Sequence, residues 1–373
     1  MRVLDMYCGM GGFSLGFALA GLRPIEGHDI WPRAVATYNL NLRRLGCRAE
    51  VSDLTKRTPK GDFDVVIGGP PCQPFSRANV GARGEEHPLW PTFPAFFTIV
   101  LEKEPLVFLM ENVPGLAYSH KDLLEEQLRR VKPYYRLKVA ILNAADYGVP
   151  QRRRRLLVLG VRKDLGVRPS FPPPSHARNP NATITGHHLA RWVSVYEAIG
   201  DIMTRPGALP EHEYAPVTDH DWQYGFEPIP LDRPSKTITT LVRCAKRTTN
   251  GAFRTTVLIM PANTLNTKGF LAPPGHHTTF CGRNEPETIR KLTVRECLRL
   301  QGFPDWWRFP HGIPITAKYI LVGEAVPPIL AYRLGVHVAR LLGVEPRVPP
   351  REGEWALPYF RRAFHDLLGG GGP

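Results

Sequence analysis

Short apolar runs alternate with helix-like segments from Met1 to Lys163, and this alternation constrains the fold more than any other feature of the sequence. Apolar runs that are separated by helices predict a mostly parallel, doubly wound α/β sheet. Helices are predicted at 14–20 and 32–45, between the first three strands. The predicted strands are Arg2–Met6, Pro24–Asp29, Val65–Ile67, Leu106–Met110, Leu137–Leu142 and Leu156–Val161.

The composition changes after Lys163. Residues 171–184 are rich in Pro, Asn, Ser and His, as in a linker, and residues 190–290 contain few long helical patterns. We therefore expect a smaller, loop-rich domain, after which helices return at Thr293–Leu300 and Pro327–Leu342. The predicted units are a first domain of 1–185, a second domain of 186–315 that includes the helix at Thr293–Leu300, and a C-terminal segment of 316–373 that packs back on the first domain, with a disordered tail at 369–373.

The chain is strongly basic, with a formal net charge of +14 and an isoelectric point of about 9.7. This excess favours a polyanionic partner, because Lys and Arg that neutralise phosphates release counterions. Charge alone is weak support, since many basic proteins bind no nucleic acid. Arginine outnumbers lysine, which suits bidentate contacts to phosphate and guanine but is equally compatible with a bias in genome composition.

Cysteine spacing and the N-terminus limit the class of protein further. The six cysteines form no CxxC pair and no Cys/His group with zinc spacing, so no metal site is expected. No apolar run reaches the ~18 residues of a membrane span. The start Met1–Asp5 does not resemble a signal peptide, because an acid comes at once and a Gly-rich turn follows. We expect a cytoplasmic protein without disulfides or membrane contact.

Three segments at successive strand ends suit a nucleoside cofactor. The stretch DMYCGMGG, from Asp5, follows the first strand and opens a helix, where glycines allow a ligand to approach the backbone. Asp29 ends the second strand, where doubly wound folds hold a ribose, and Asp53 is placed to accept from an adenine amino group. Each feature alone is equally compatible with a tight turn or a helix cap, but the series points to an adenosine cofactor.

The stretch GGPPCQPFS, from Gly68, follows the third main strand and holds Cys72 between prolines. Ligands bind outside the carboxyl ends of the strands in such sheets, so Cys72 is placed for chemistry. Cysteine is a strong nucleophile once it is a thiolate. The alternative is a tight turn that contains a buried cysteine. A cysteine protease is disfavoured, because His87 is the one nearby histidine.

Two further segments carry acid and base groups. Glu111 opens ENV after an apolar strand, and a carboxyl at a buried strand end can carry a proton near neutral pH; the alternative is a helix N-cap region. The run QRRRR precedes another strand. Alternation places Arg153 and Arg155 on one face and Arg152 and Arg154 on the other, so one pair can point into the cleft.

Together these segments resemble the C5-cytosine-specific DNA methyltransferases, which use S-adenosylmethionine, over nearly the whole chain. The motifs, in the family's order, are DMYCGMGG, Asp29, Asp53, GGPPCQPFS, ENV, QRRRR, LTVRE from Leu292, LQGFP from Leu300 and GEAVPP from Gly323. The resemblance implies a Rossmann-like methyltransferase sheet with a smaller, loop-rich target-recognition domain.

The resemblance also implies residue roles. Cys72 adds to C6 of a flipped-out cytosine, Glu111 holds N3 and the 4-amino group, and Arg153 and Arg155 hold O2 and orient these two. The implied cofactor residues are Tyr7, Gly9, Met10, Gly11, Gly12, Asp29, Ile30, Asp53, Leu54, Pro71, Glu324 and Ala325. The implied DNA contacts, from a mobile loop after Cys72 and from the target-recognition region, are Gln73, Ser76, Arg77, Arg83, Arg243 and Arg247.

One position departs from the family pattern. Glu324 stands where the family usually has Asn, beside the amino-acid end of the cofactor. A carboxylate there can pair with the cofactor's ammonium group or repel its carboxylate.

The resemblance favours a monomeric restriction–modification enzyme that acts on double-stranded DNA, with a cognate restriction endonuclease as a further partner. Two alternatives remain at this stage. A tRNA cytosine-5 methyltransferase keeps the chemistry and changes the substrate, but the Cys-Phe-Thr signature of that branch is replaced here by Thr279-Phe280-Cys281. A catalytically silent DNA-binding protein is disfavoured by the intact set of Cys72, Glu111, Arg153 and Arg155.

Overall fold

The computed structural model describes most of the chain. The described residues are 1–75, 83–179, 189–203, 207, 209–212, 234–236, 259–262 and 288–368. Four of the residues predicted to contact DNA lie outside them, namely Ser76, Arg77, Arg243 and Arg247, as does the tail at 369–373.

A seven-stranded sheet forms the centre of the molecule. Its spatial order is β3-β2-β1-β4-β5-β7-β6, and neighbouring strands are parallel except that β7 runs antiparallel to both β5 and β6. The strands are β1 Arg2–Met6, β2 Arg23–Asp29, β3 Ala49–Val51, β4 Val65–Gly68, β5 Val107–Asn112, β6 Tyr135–Asn143 and β7 Arg154–Arg162. The predicted α/β class with a mostly parallel sheet is confirmed.

Helices connect and cover these strands. The helices are α1 Gly12–Leu19, α2 Pro32–Leu42, α3 Thr92–Lys103, α4 Gly115–Tyr118, α5 Lys121–Val131, α6 Val195–Ile199, α7 Val294–Gln301, α8 Ile315–Glu324, α9 Pro328–Leu341, α10 Glu352–Trp355 and α11 Phe360–Ala363. Short strands outside the main sheet are Gln151–Arg152, His176–Ala177, Ala190–Arg191, Ser235–Lys236, Ile259–Ala262 and Thr288–Lys291.

The sheet is buried on both faces. On β4, Val65 and Ile67 belong to one apolar cluster and Val66 to a second, because side chains alternate along a strand. The first cluster includes residues of α1 and α9, and the second includes the phenylalanines of α3. Burial on both faces explains why these strands are continuous apolar runs in the sequence.

Strand β5 is longer than the sequence indicates. It was predicted to end at Met110, but Glu111 and Asn112 continue it and pair with Leu157 and Leu156 of β7. The polar residues belong to the strand because the neighbouring strand β7 is long enough to satisfy their backbone groups.

Parts of the predicted second domain share the core of the first. Val193, Leu298 and Trp307 belong to the cluster that contains Val65 and Ile67. The limits predicted at 185 and 315 stay a prediction, since most of the chain between them lies outside the described residues.

Among the described residues, one stretch is long and apolar enough to cross a membrane by length and composition. It runs from Ile315 to Leu341, and 78% of its most apolar window is buried inside the molecule. Packing in the core accounts for this apolar character, because α9 lies directly on α1.

The contact between α1 and α9 depends on Gly16. A Cβ at this position would lie 2.4 Å from the backbone nitrogen of Tyr332 and 2.5 Å from Cβ of Ala331. We expect Gly16→Ala to lower the free energy of unfolding by about 1–2 kcal/mol, since overpacking outweighs the gain in helix propensity. Urea unfolding followed by circular dichroism measures the change.

Gly353→Ala is the matched control, because this helical glycine has nothing within 4 Å of a Cβ. It should be neutral or slightly stabilising. Equal stability of the two variants would contradict the close approach of α1 and α9.

Candidate active site

The candidate site lies at the edge of the sheet where β1, β2, β4 and β5 end. The Gly-rich turn follows β1, Asp29 ends β2, the turn that holds Cys72 follows β4, and Glu111 lies near the end of β5. These strands are parallel, so their carboxyl ends meet at one edge, as ligand sites of doubly wound sheets require.

The turn around Cys72 is anchored on both sides. Asn112 donates through Nδ2 to the carbonyl oxygen of Pro70 at 3.1 Å. Beyond Cys72, the backbone nitrogen of Phe75 donates to the Cys72 carbonyl at 3.0 Å, and the Phe75 ring is buried. Aromatic rings pack edge-on against Phe75; they belong to Trp90, Phe93 and His120. The half-buried thiol is therefore held on a rigid turn.

Glu111 and Arg155 form an ion pair next to this turn. Nε of Arg155 lies 2.7 Å from Oε1 of Glu111, and the two side chains are 12% and 10% exposed. A Cβ on Gly69 would lie 3.4 Å from Oε2 of Glu111, so the Cys72 turn passes directly over the carboxylate. Arg155 reaches this edge because β7 is antiparallel: its first residues lie beside the last residues of β5.

Arg153 is buried and connects the sheet to the C-terminal helices. Its Nη2 donates to the carbonyl oxygen of Ala325 at 3.0 Å, and Nε2 of Gln301 donates to the same oxygen at 2.6 Å. Gln151 donates in turn to Oε1 of Gln301 at 2.7 Å. Arg152 is exposed, as is Arg154, which agrees with the alternation seen in the sequence.

Four charged side chains act on the thiol. Burial raises the pKa of Cys72 to about 11; Arg155 and Arg153 oppose the rise, while Glu324 and Glu111 reinforce it. Burial, followed by repulsion from Arg155, lowers the pKa of Arg153 to about 9. The free protein therefore carries Cys72 as a thiol near neutral pH.

The Gly-rich turn divides into an open part and a packed part. Gly9 has φ +52° and nothing within 4 Å of a Cβ, so it borders open space. A Cβ on Gly11 would lie 2.5 Å from Leu42, and one on Gly12 would lie 2.1 Å from the carbonyl oxygen of Val326. Met10 belongs to the core. Gly9 is thus available to a ligand. Gly11 lets α2 pack closely on the turn, and Gly12 does the same for the backbone at Val326.

Asp29 holds the turn in place. Its Oδ2 accepts from the Gly9 nitrogen at 2.9 Å, and its Oδ1 accepts from the Trp31 nitrogen at 2.8 Å. Burial raises the pKa of Asp29, while these backbone hydrogen bonds lower it. Tyr7 donates its hydroxyl to the Thr92 carbonyl at 2.8 Å, which joins the turn to α3.

The ends of β2 and β3 form an apolar ledge that suits a nucleoside. Ile30 is 64% exposed and Val51 is 52% exposed, although both are large hydrophobic residues. Each oxygen of Asp29 retains a lone pair that can accept from a hydroxyl group. An exposed apolar surface beside a carboxylate fits the base and ribose of an adenosine group.

Asp53 and Leu54 differ in their surroundings. Asp53 accepts from the nitrogen and hydroxyl of Thr55 at 3.0 Å and 2.6 Å, and Lys56 lies 3.1 Å away. The hydrogen bond from the Thr55 side chain lowers the pKa of Asp53. Leu54 is buried in the cluster on the α3 face. Asp53 therefore caps its own turn, and Leu54 packs.

The remaining predicted residues lie around the cleft. Pro71 is half-buried, and Ala325 is buried with its carbonyl in the Arg153 contact. Nε2 of Gln73 donates to Oε1 of Glu324 at 3.4 Å. Arg83 is exposed, and its charge adds to the effect of burial in lowering the pKa of His120.

Sequence reasoning missed a buried polar group beneath the Gly-rich turn. Asp5 accepts from Oγ of Ser14 at 2.6 Å, and Tyr38 donates to the same Oγ at 2.8 Å. Burial raises the pKa of Asp5 to about 7. The available signal was an acid within an apolar strand. Asn112 and Gln301 were also missed as contacts, although both stand inside quoted motifs.

One group in the described chain has metal-ligand residue types. Glu26, His28 and Glu50 have ligand atoms within 4.8 Å of one another. Glu26 contacts Nε2 of His28 at 2.7 Å, and Glu50 lies 3.6 Å from Nδ1. The shortest contacts of the two carboxylates are thus to different ring nitrogens of His28.

The fold and the site define an α/β enzyme that brings a thiol, a carboxylate and two guanidinium groups to one edge of its sheet. The family model for C-5 cytosine-specific DNA methylases matches residues 1–340, and the chain belongs to this family. It is a DNA cytosine-5-methyltransferase.

Relatives and solved structures agree with this assignment. The chain is 32% identical to the Type II methyltransferase M.MthTI of Methanothermobacter thermautotrophicus, over 91% of this chain and 97% of that protein. It is 30% identical to M.XorII of Xanthomonas oryzae, over 93% and 86%. The solved S. pombe Dnmt2 methyltransferase shares the fold, with a TM-score of 0.59 at 19% identity, over 92% of this chain and 98% of that chain.

Asp5 should make stability depend on pH. Its folded pKa of about 7 is above the usual 3.8, so the stabilisation is complete below pH 3.8 and is lost as the pH rises through 7. Asp5→Asn keeps an acceptor for Ser14 but cannot ionise. We expect its free energy of unfolding to vary less between about pH 4 and 7 than that of the parent protein. Urea titrations across this range measure the difference.

Asp62→Asn provides the control, because Asp62 is an exposed acid. Its pH profile should follow that of the parent protein. If Asp5→Asn shows the same pH dependence as Asp62→Asn, then Asp5 does not carry the buried proton.

Proposed function

We propose that the protein transfers a methyl group from S-adenosylmethionine to C5 of a cytosine that is flipped out of a specific site in duplex DNA, with Cys72 as a covalent nucleophile. The observation that carries the proposal is the Glu111–Arg155 ion pair, 2.7 Å long, directly beneath the turn that holds Cys72. This arrangement offers a nucleophile and a base-binding carboxylate on one side of a pocket.

The chemistry requires a nucleophile because C5 of cytosine is part of an aromatic ring and attacks poorly. When the Cys72 thiolate adds to C6, the S–C bond forms and electron density moves toward C5 and N3. After methyl transfer, loss of the C5 proton to a base restores the C5–C6 double bond and expels the thiolate. The anchored turn supports this role, since it holds the sulfur in one direction.

Glu111 stabilises the negative charge that builds up on N3 of the cytosine. Its carboxyl group holds N3 and the 4-amino group, and donates a proton to N3. In the free protein the contact with Arg155 holds this carboxyl group in position for the base. Arg155 orients Glu111 and is available to O2 of the base, and buried Arg153 fixes the floor of the pocket through Ala325.

The adenosine end of the cofactor fits the ledge beside Asp29. Asp29 accepts from the ribose hydroxyls, Ile30 packs on the adenine, and Gly9 leaves room at the backbone. Tyr7, Pro71 and Glu324 border the amino-acid end. Asp53 must exchange its contact with Lys56 to receive the adenine amino group. When bound, S-adenosylmethionine supplies the methyl group.

The substrate base has to leave the duplex to reach this concave edge. Basic residues near the cleft support a DNA backbone path: Arg83, Arg152 and Arg154 are exposed. We assign Gln73, Ser76, Arg77, Arg243 and Arg247 to DNA contact on the family resemblance. A prokaryotic cytoplasmic location, a monomer and a cognate restriction endonuclease complete the proposal, by analogy with the Type II relatives.

Cys72→Ser tests the covalent mechanism. We expect the loss of methyl transfer with the fold retained, because the two side chains are nearly isosteric and only the thiolate is lost. Transfer of a tritiated methyl group from S-adenosylmethionine to duplex DNA and, separately, to tRNA measures the activity. Circular dichroism checks the fold.

The outcomes separate the candidate functions. Label in duplex DNA supports the proposal. Label found in tRNA alone would show that tRNA, and not DNA, is the substrate. Near-normal transfer by Cys72→Ser would rule out the covalent step. If neither substrate is labelled although the cofactor binds, the protein is a binding module.

A further inference from the structure

Glu324 is an acidic group at the site that takes part in no chemical step of the proposed mechanism. It ends α8, its side chain is exposed to the cleft, and Gln73 fixes one of its oxygens at 3.4 Å. Gln73 is the residue after Cys72, so this hydrogen bond places a carboxylate beside the nucleophile's own turn. The carbonyl of the next residue, Ala325, is held by Arg153 and Gln301 at 3.0 Å and 2.6 Å. Glu324 is therefore positioned from two sides.

The charges that face Cys72 come from three elements. β7 and the residue before it contribute Arg155 and Arg153, β5 contributes Glu111, and the end of α8 contributes Glu324. The Glu111–Arg155 pair is internally neutral at 2.7 Å. The remaining charges that act on the thiol are those of Arg153 and Glu324, which oppose each other.

A fourth element adds more negative charge. Asp29, at the end of β2, acts on Glu324, and Arg153 opposes it. Counted as ionised groups, the cleft holds Asp29, Glu111 and Glu324 against Arg153 and Arg155, so one negative charge is uncompensated. Desolvation of the carboxyl group by the surrounding protein, followed by repulsion from Asp29, raises the pKa of Glu324 to about 7. A cleft of this kind favours a ligand that brings positive charge.

The proposed methyl donor and its product differ in this property. S-adenosylmethionine carries a sulfonium, an ammonium and a carboxylate, and is a net cation. S-adenosylhomocysteine has lost the sulfonium charge and is net neutral. The charge of the bound ligand offsets the charge of Glu324 to a different extent for the donor and for the product. The equilibrium between the thiol and the thiolate of Cys72 therefore differs between the two complexes, because it responds to nearby charge.

We propose that Glu324 is a positioning residue that makes the reactivity of Cys72 depend on the charge of the bound cofactor. In the empty cleft its carboxylate suppresses thiolate formation, and a cationic ligand beside Glu324 removes that suppression. The nucleophile is thus activated when a methyl donor, rather than the spent product, is present. This inference rests on the proposed use of S-adenosylmethionine.

The test is alkylation of Cys72 by iodoacetamide in the absence of DNA. Cys72 loses its proton to solvent, the thiolate sulfur bonds to the CH₂ carbon, and iodide leaves. Peptide mass spectrometry quantifies the modification at position 72 alone, so the other cysteines do not interfere. Rates are measured between about pH 7 and 9, where a thiol of raised pKa is mostly protonated and the rate follows the thiolate fraction.

Glu324→Gln is the informative variant, because the amide retains an acceptor for Gln73 and loses only the charge. Without ligand, we expect Glu324→Gln to react about threefold faster or more at a given pH. Glu345→Gln is the matched control: Glu345 is exposed after α9, and the neighbouring Arg347 bonds to the end of α1, at the opposite edge of the sheet. It should react at the parent rate.

The ligand arm compares S-adenosylmethionine with S-adenosylhomocysteine. In the parent protein we expect the cationic donor to give the faster alkylation, by about threefold or more. In Glu324→Gln this ratio should be smaller, because only the direct effect of the sulfonium charge on the thiol remains. Steric hindrance by the ligand cancels, since the same two ligands are compared in both proteins.

The failures are distinguishable. If Glu324→Gln reacts at the rate of Glu345→Gln, or keeps the full donor-to-product ratio, the inference is overturned while the proposed function stands. If calorimetry shows no binding of S-adenosylmethionine to the parent protein, the proposed function fails and the ligand half of the inference fails with it.

Discussion

The antiparallel strand β7 is the constraint on which the site depends. It lies between β5 and β6 and runs against both, so its first residues stand beside the last residues of β5. Arg155 therefore meets Glu111 at 2.7 Å, at the edge where the parallel strands end. If β7 were parallel to β5, the same arginines would lie at the opposite edge of the sheet, far from Cys72. The direction of one strand thus decides whether the QRRRR segment belongs to the site.

Burial and charge act in opposite directions at this edge. The enclosed turn disfavours a thiolate, the two arginines favour it, and the carboxylates of Glu111 and Glu324 oppose the arginines. A buried ion pair costs desolvation, and it is retained where geometry rather than stability is needed. The Glu111–Arg155 pair fits that description, since it fixes a carboxylate that would otherwise be an isolated charge. In the free protein the balance leaves the pKa of Cys72 raised, to about 11.

The fold class was accessible from the sequence because strands and helices leave local patterns, and the catalytic set, which comes from local motifs, stays a prediction. Alternation of apolar runs and helices predicted the sheet, and the stiff turn at Cys72 predicted a nucleophile at a strand end. Two residues of the predicted cofactor set are buried. Met10 and Leu54 stand within cofactor motifs, yet their side chains belong to the core. Proximity to a motif does not tell which side of the backbone a residue faces.

Long-range contacts were not accessible in the same way. Gln151 and Gln301 are 150 residues apart and meet at 2.7 Å, and Asn112 holds a turn 42 residues away. Pairs of this kind follow from how helices α7 and α8 pack on the sheet, which no local periodicity specifies. The predicted target-recognition domain lies mostly outside the described residues and stays a prediction.

The sequence by itself determined the class of fold, the order of the chemical groups along the chain and the family to which the enzyme belongs. It did so because strands, turns and glycine positions are local properties of a few neighbouring residues. Only the tertiary structure decided that Glu324 lies beside Gln73 and acts on Cys72, 252 positions earlier in the chain. The physical reason is that electrostatic coupling depends on distance in space and on burial, and the packing of α8 against the strand ends sets both.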